Sequence, residues 1–391
     1  MQTLLRTALL IVIGFTLTNC NDSSNSTNPI ESTQPETGIA GDGNLLELLK
    51  FYKKAHDVPA ITSVIFSDNV VLEMAAYGER KVGHKEPVSI EDKWYIGSLT
   101  KAITASLVAR LVEQGVLRWD TTIIEVYPEL NGVILEAYHN IRIDQLLSHT
   151  GGIIEADEEE YAAFLGDVRS LPEQRHNVVL MALTTESEIS VGSYHYSNIG
   201  YIIAGAVLEK LSGRSFEDMM ITELFLPLGM NSTGFGAVGD SGSLLHPWGH
   251  HFESGIWVPV DPSVEHGNKI PVASPAGSNL YTTHSDYALF IKEHLNGLSG
   301  KAGLLSVESH RKLHTPFPDS QYALGWFVTE INLEHDGSDD NWYAEVHLFP
   351  SKNSAFFSVT NSDSEQSRSC INKILDISAH RMVAYEEQER Q

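Results

Sequence analysis

Apolar positions change their period along this chain, and the changes mark out its elements. Leu45 to Ala55 reads as an amphipathic helix. Ile61 to Phe66 and Val70 to Tyr77 read as two strands of a hairpin turned at Ser67-Asp68-Asn69. After residue 96 the period becomes helical: Ala102, Ile103, Leu107, Val108, Leu111 and Val112 lie on helix-spaced positions until Gly115, which predicts a buried helix of about four turns. A second apolar helix is predicted over Ile202 to Leu211. Strand patterns return at Ala323 to Leu333, Trp342 to Phe349 and Ala355 to Thr360, separated by turn-rich Asp336 to Asn341 and Pro350 to Ser354. A closing helix is expected near Ser367 to Tyr385, and no regular element is expected in Gly236 to Pro275. Strands at both ends with helices between them predict an α+β fold, an antiparallel sheet built from both chain ends and flanked by helices. The sheet subdomain is placed at 44–95 and 321–391, with a mainly helical subdomain, 96–320, inserted into it.

The first twenty residues stand apart. Arg6, the apolar run Ala8 to Phe15 and then Leu17-Thr18-Asn19-Cys20 make a segment too short to span a membrane but suited to an export signal. It resembles a bacterial lipoprotein signal, which implies lipid attachment at Cys20; Asn19 stands where such signals carry a small residue. Residues 21–43, rich in Ser, Thr, Asn and Gly, are expected to form a flexible tether. The expectation is an exported protein, lipid-anchored in a bacterial cell envelope, with a cleaved soluble form as the alternative.

With 391 residues, 42% hydrophobic and 20% charged, the chain has material for a substantial core. Its net charge of -25 and lack of any basic run argue against nucleic acid as a partner. Asp157-Glu158-Glu159-Glu160 reads as a solvated face. Cys20 and Cys370 are its two cysteines, so no internal disulfide is expected, and Cys370, among Ile371, Ile374 and Ile377, reads as core.

Candidate chemistry begins at Ser98-Leu99-Thr100-Lys101, where a hydroxyl and an amine three residues apart share one helix face. A serine hydroxyl needs a nearby base or a positive environment to become a nucleophile, and a helix N-terminus supplies the second. Ser309-His310-Arg311-Lys312 matches equally well but meets Pro316 within two turns, and reads as a surface helix start. Tyr196-Ser197-Asn198 offers a phenol and an amide where a turn feeds an apolar helix, whereas its rival, Tyr138-His139-Asn140, ends one. His335-Asp336-Gly337-Ser338 is placed at a strand end, with a glycine that permits close backbone approach. His149 is expected to pack a turn beneath the site. The cluster His246, His250 and His251 lacks any regular helix to fix metal geometry, so no metal and no cofactor are expected.

Ser98-Leu99-Thr100-Lys101, Leu146-Leu147-Ser148-His149-Thr150-Gly151-Gly152, Tyr196-Ser197-Asn198-Ile199-Gly200-Tyr201, Ser274-Pro275-Ala276-Gly277 and Tyr322-Ala323-Leu324-Gly325-Trp326 together resemble the serine β-lactamase-related family, over roughly residues 44 to 385. Its members include class C β-lactamases, D-alanyl-D-alanine carboxypeptidases, D-aminopeptidases and family VIII esterases. The resemblance implies a β-lactamase/transpeptidase-like fold, with Ser98 as nucleophile and Lys101 and Tyr196 as proton-handling partners. It also implies that Asn198 binds a substrate amide and that the backbone N–H groups of Ser98 and Ser338 form an oxyanion hole. His335, beside Gly337, stands where other members carry lysine. A histidine offers a cation to a substrate carboxylate only in acid, so a small ester or D-amino-acid amide or peptide is the expected substrate. A class C β-lactamase and a peptidoglycan- or β-lactam-binding sensor without turnover are the alternatives. Which of Lys101 and Tyr196 is the base stays open, because one of two pKa values near 10 must fall.

Overall fold

The computed structural model describes residues 35–390 apart from 68 and 69. The export segment, Cys20 and the hairpin tip Asp68-Asn69 lie outside the described residues. Six strands form one antiparallel sheet: β1 (Ala60–Ser67), β2 (Val70–Gly78), β3 (Phe327–Val328), β4 (Leu333–Ser338), β5 (Tyr343–Phe349) and β6 (Ser354–Thr360), in the order β2-β1-β6-β5-β4-β3. The first and last strands in sequence, β1 and β6, pair inside it, Ile61 opposite Thr360. The sheet therefore closes only when both ends of the chain are present. Among the described residues, the helices of eight residues or more are α1 (Leu45–Ala55), α2 (Thr100–Glu113), α3 (Leu171–Thr184), α4 (Asn198–Ser212), α5 (His284–Leu298), α6 (Val307–His314) and α7 (Glu365–Glu389).

Period-two alternation decides what each sheet face meets. Ile61 and Ile65 of β1 and Phe356 of β6 pack on α1 and α7, against Leu48, Leu49, Cys370, Ile371 and Ile374. Ala60, Val64 and Phe66, with Phe357 and Val359, face the helical region on the other side. Both faces being covered explains why β1 is buried along its whole length. Burial pushes the Cys370 thiol up to about 12, so it stays protonated within the core.

Four expectations change in detail. Ala323 to Leu333 is not one strand, because Gly325 at φ +86° turns the chain tightly and Ala323 N–H closes the turn on Trp326 O at 2.8 Å. The strand that follows runs on through Ser338, so His335 sits mid-strand and not at a strand end; pairing of Ser338 with Tyr343 and Gly337 with Ala344 overrides the turn preference of Asp-Gly-Ser. Gly236 to Pro275 is not structureless. It holds a hairpin, Gly249–Glu253 with Ile256–Val260, turned at Ser254 and Gly255 with φ of +51° and +86°, and a short helix, Pro262–Asn268. Finally, the tether expected through residue 43 is docked at its end. The buried Arg381 guanidinium donates to the carbonyls of Thr37 and Ile39 and pairs with Asp42 and Glu73.

No helix among the described residues is long and apolar enough to cross a membrane.

Candidate active site

Ser98 lies in a single 3₁₀ turn, Gly97–Leu99, that runs directly into α2, one step earlier than the first α-helical turn expected of it. Two glycines let this turn sit where it does. Gly97 has φ +51°, and a Cβ there would stand 2.4 Å from Ser338 O and 2.7 Å from Ser338 N. A Cβ on Gly337 would stand 2.1 Å from Ile96 O and 2.8 Å from Ser98 N. Only bare backbone at these two positions allows the Ser98 turn and the Gly337–Ser338 end of β4 to approach so closely.

α2 is buried nearly all round, and Lys101 is carried into the core with it, at 0% exposure. Its Nζ lies 2.9 Å from Ser98 Oγ, 2.7 Å from Asn198 Oδ1 and 2.7 Å from Ala276 O. Burial penalises the ammonium and lowers the Lys101 pKa to about 7, although the negative charges of Glu155 and Asp336 work against the shift. A neutral amine has two hydrogens and one lone pair. Asn198 Oδ1 and the Ala276 carbonyl can only accept, so they take the hydrogens and leave the lone pair to face the Ser98 hydroxyl.

Tyr196 ends the loop before α4, and the Lys101 Nζ lies 4.8 Å from its ring centre. Desolvation by burial dominates and raises the pKa of its phenol, although the Ser98 side chain works against the shift. Between the two groups left open by the sequence, burial thus favours the lysine as the one that is deprotonated near neutral pH. His149 lies beneath: 3% exposed, it accepts from Ser197 N–H at 3.1 Å on Nδ1 and packs its ring 4.3 Å from that of Tyr196.

His335 corrects an expectation. It does not face the cleft as a substrate-binding cation. The alternation of β4 turns it inward, where its Nε2 meets the Tyr322 hydroxyl at 3.0 Å and its Nδ1 the Asp336 carbonyl at 2.6 Å. Burial, helped by the positive field of Lys101, lowers its pKa to about 3. Ser338, by contrast, is exposed, and its hydroxyl donates to Asp363.

Ser98, Asn198 and Ser338 open onto a cleft of about 180 Å³ that Tyr161, Gly277 and Asp339 also line. Sequence reasoning missed Tyr161, Glu155 and Asp339. Glu155 accepts from the Asn198 N–H and from the Tyr161 hydroxyl, tying the loop after Gly152 to the start of α4. No local pattern around Glu155 signals that role. The Ala276 carbonyl was within reach, since Ser274-Pro275-Ala276-Gly277 stood out as a motif. The cations beside the cleft are committed: Lys269 to Asp339 at 2.9 Å and Asp340 at 3.0 Å, and Arg368 to Asp363 at 2.8 Å.

The rival motifs separate cleanly. Ser309 donates to Glu113 at 2.6 Å while Lys312 pairs with Asp144 at 2.9 Å, so the two do not serve each other. Tyr138 donates to the Thr185 carbonyl. His250 is bonded by Val82 N–H and lies against the Asn361 carbonyl, His246 stands beside Asp92, and the exposed His251 beside Glu253, three unrelated settings. Asp157 caps a short helix by accepting from Glu160 N–H at 2.9 Å. A larger cavity, about 660 Å³, is lined by Tyr127, His176 and Lys210 and contains none of the groups around Ser98.

The beta-lactamase family model matches residues 46–380. Penicillin-binding protein 4 of Amycolatopsis lactamdurans is 31% identical over 185 residues, 46% of this chain and 45% of that protein. Unguisins hydrolase ungD' of Aspergillus campestris is 28% identical over 352 residues, 84% of this chain and 63% of that one. The chain therefore spans less than two thirds of the length of these curated relatives. Among solved structures, the octameric penicillin-binding protein homologue from Pyrococcus abyssi superposes with a TM-score of 0.67 at 24% identity, covering 85% of this chain and 77% of that one. A class C beta lactamase from Rhodobacter sphaeroides gives 0.66 at 16% identity, covering 86% and 99%. Both likenesses are of fold.

Proposed function

Because the chain belongs to the beta-lactamase family, we propose that it is a serine hydrolase that forms an acyl-enzyme on Ser98 and hydrolyses small esters or D-amino-acid amides and peptides. The observation that carries the reading is the Lys101 amine, 2.9 Å from Ser98 Oγ, with both its hydrogens held by carbonyl oxygens.

In acylation the Ser98 proton passes to the Lys101 lone pair as Oγ attacks the substrate carbonyl carbon. The carbonyl oxygen becomes negative between the Ser98 and Ser338 N–H groups. Tyr196, kept protonated by burial, gives its proton to the leaving group as the carbon–heteroatom bond breaks, and recovers one from the Lys101 ammonium. Water then attacks the Ser98 ester, Lys101 takes its proton and passes it to Ser98 Oγ as that oxygen leaves, restoring the starting state. Asn198, whose Oδ1 is occupied by Lys101, lines the cleft.

The substrate reading rests on charge. With Lys269 and Arg368 both paired and His335 buried and neutral, these groups leave no free cation for a substrate carboxylate, which disfavours β-lactams and peptides cleaved beside a free C-terminal carboxylate relative to neutral esters and amides. A panel of nitrophenyl esters, D-alanyl peptides and β-lactams on the wild type and Ser98→Ala tests the proposal. Ester or D-peptide turnover that disappears in the variant is expected. Full activity in Ser98→Ala refutes the nucleophile, and efficient β-lactam turnover at neutral pH refutes the substrate class. Persistent stoichiometric labelling by penicillin without turnover would make the protein a sensor.

Export with lipid attachment at Cys20 belongs to the same proposal and is supported by residues 1–20 of the sequence alone. Detergent phase partitioning of the native protein checks it, and recovery solely in the aqueous phase would refute it.

A further inference from the structure

We propose that His294, His310 and His314 form a binding site for a zinc-class divalent cation, apart from the Ser98 cleft. One ring nitrogen from each lies within 4.8 Å of those of the other two. His310 and His314 stand four residues apart on α6, so they share one face of that helix. His294 comes from the facing helix α5, and the two helices converge on Trp326, whose ring centre is 5.3 Å from that of His294.

Hydrogen bonding fixes which nitrogens carry lone pairs. Ser106 Oγ spends its single hydrogen on the Ala102 carbonyl at 2.8 Å, so in its 3.2 Å contact with His294 Nε2 the ring must donate. That leaves a lone pair on His294 Nδ1, which takes a hydrogen from His314 Nε2 at 2.8 Å. Glu293, held as a carboxylate by the Leu305 N–H and by His310 itself, accepts from His310 Nε2 at 3.1 Å. The remaining nitrogen, His310 Nδ1, is buried and has no partner, and neither has His314 Nδ1.

A cation would give the orphaned His310 Nδ1 lone pair a partner. His294 Nδ1 already offers a lone pair beside it, and moving one proton within the His314 ring, from Nε2 to Nδ1, frees a third. No imidazole has to lose a proton to solvent. Three neutral imidazoles suit zinc and its neighbours and not calcium or magnesium, which prefer oxygen. Glu293 then supplies the carboxylate that orients a ligating histidine through its other ring nitrogen. An entry path exists, since His314 also lines a surface pocket of about 220 Å³ with Leu298, Val328 and Asn332. The cation would pin α5 to α6 and, through Ser106, to the helix that carries Lys101.

Elemental analysis and chelator competition on the whole protein, stripped with EDTA and refilled with zinc chloride, test the proposal. One equivalent per chain is expected, with a rise in Tm, and cobalt in its place is expected to give tetrahedral visible bands. Glu293→Gln should weaken zinc binding by roughly 10- to 100-fold, His310→Gln and His314→Gln should abolish it, and His251→Ala should leave it unchanged. Hydrolysis through Ser98 should continue in the stripped protein. Failure of the wild type to hold zinc more tightly than the His310→Gln/His314→Gln protein overturns the site. If those variants do not fold, absence of tetrahedral cobalt bands in the wild type overturns it equally.

Discussion

The Lys101 amine donates to the Ala276 carbonyl at 2.7 Å across 175 residues of chain. That bond, with the one to Asn198, holds the hydrogens of the neutral amine and orients its lone pair on Ser98. The lysine pKa lowered to about 7 by burial fixes the sign of the pH dependence: the deprotonated amine is the active form. We expect kcat/KM for a neutral ester to rise with pH, inflect near 7 and level off above it. A profile that keeps rising to pH 10 would mean that the base titrates elsewhere.

Tyr196 is expected to act as an acid. Its pKa is raised by burial, so Tyr196→Phe removes a proton donor that amide leaving groups need and nitrophenolate does not. Loss of about 10²- to 10⁴-fold in kcat on a D-alanyl amide is expected, with a much smaller loss on a nitrophenyl ester. Equal losses on both substrates would assign the phenol another duty.

His335 should stay silent as the pH is changed. Held to a pKa of about 3, it is neutral from about pH 5 to pH 8, where an exposed histidine would titrate. The ratio of kcat/KM for a carboxylate-bearing ester to that for its methyl ester should therefore be flat across this range. A ratio that climbs in acid would put a histidine cation in the cleft.

Gly337→Ala should abolish hydrolysis. The added methyl would stand 2.1 Å from Ile96 O and 2.8 Å from Ser98 N, forcing the Ser98 turn away from β4 and pulling the two oxyanion donors apart. Removing such a donor costs roughly 10²- to 10³-fold in kcat. Fluorophosphonate labelling rates read the effect, and wild-type labelling would show that the turn tolerates displacement.

Arg381→Met should destabilise the fold without touching the site. The 0% exposed guanidinium holds Asp42, Glu73 and the carbonyls of Thr37 and Ile39, and breaking a buried ion pair from one side costs about 3–5 kcal/mol. Urea unfolding measures it. A change below about 1 kcal/mol would mean that the segment around 37–42 contributes as little as a surface ion pair.

Much of this was legible in the residues because it is local. Ser98 and Lys101 are neighbours by helical spacing alone, Gly337 announces close backbone approach, and the apolar periods of residues 45–55, 61–66 and 102–112 mark their elements. The hairpin at 249–260 was missed because Gly, Pro and His obscured its Ile256-Trp257-Val258 pattern, and His335 was misplaced because strand pairing outweighed turn preference at Asp336-Gly337-Ser338. Glu155 and Asp339 carried no signal.

By itself the sequence determined which residues could do chemistry as pairs within one turn, and which segments alternate as strand or helix, since both follow from backbone geometry a few residues long. Tertiary packing decided the rest. It brought Asn198 to Lys101 over 97 residues, turned His335 into the core, and lowered the lysine pKa, because contacts between distant segments and the loss of water around a charge exist only once the chain has closed on itself.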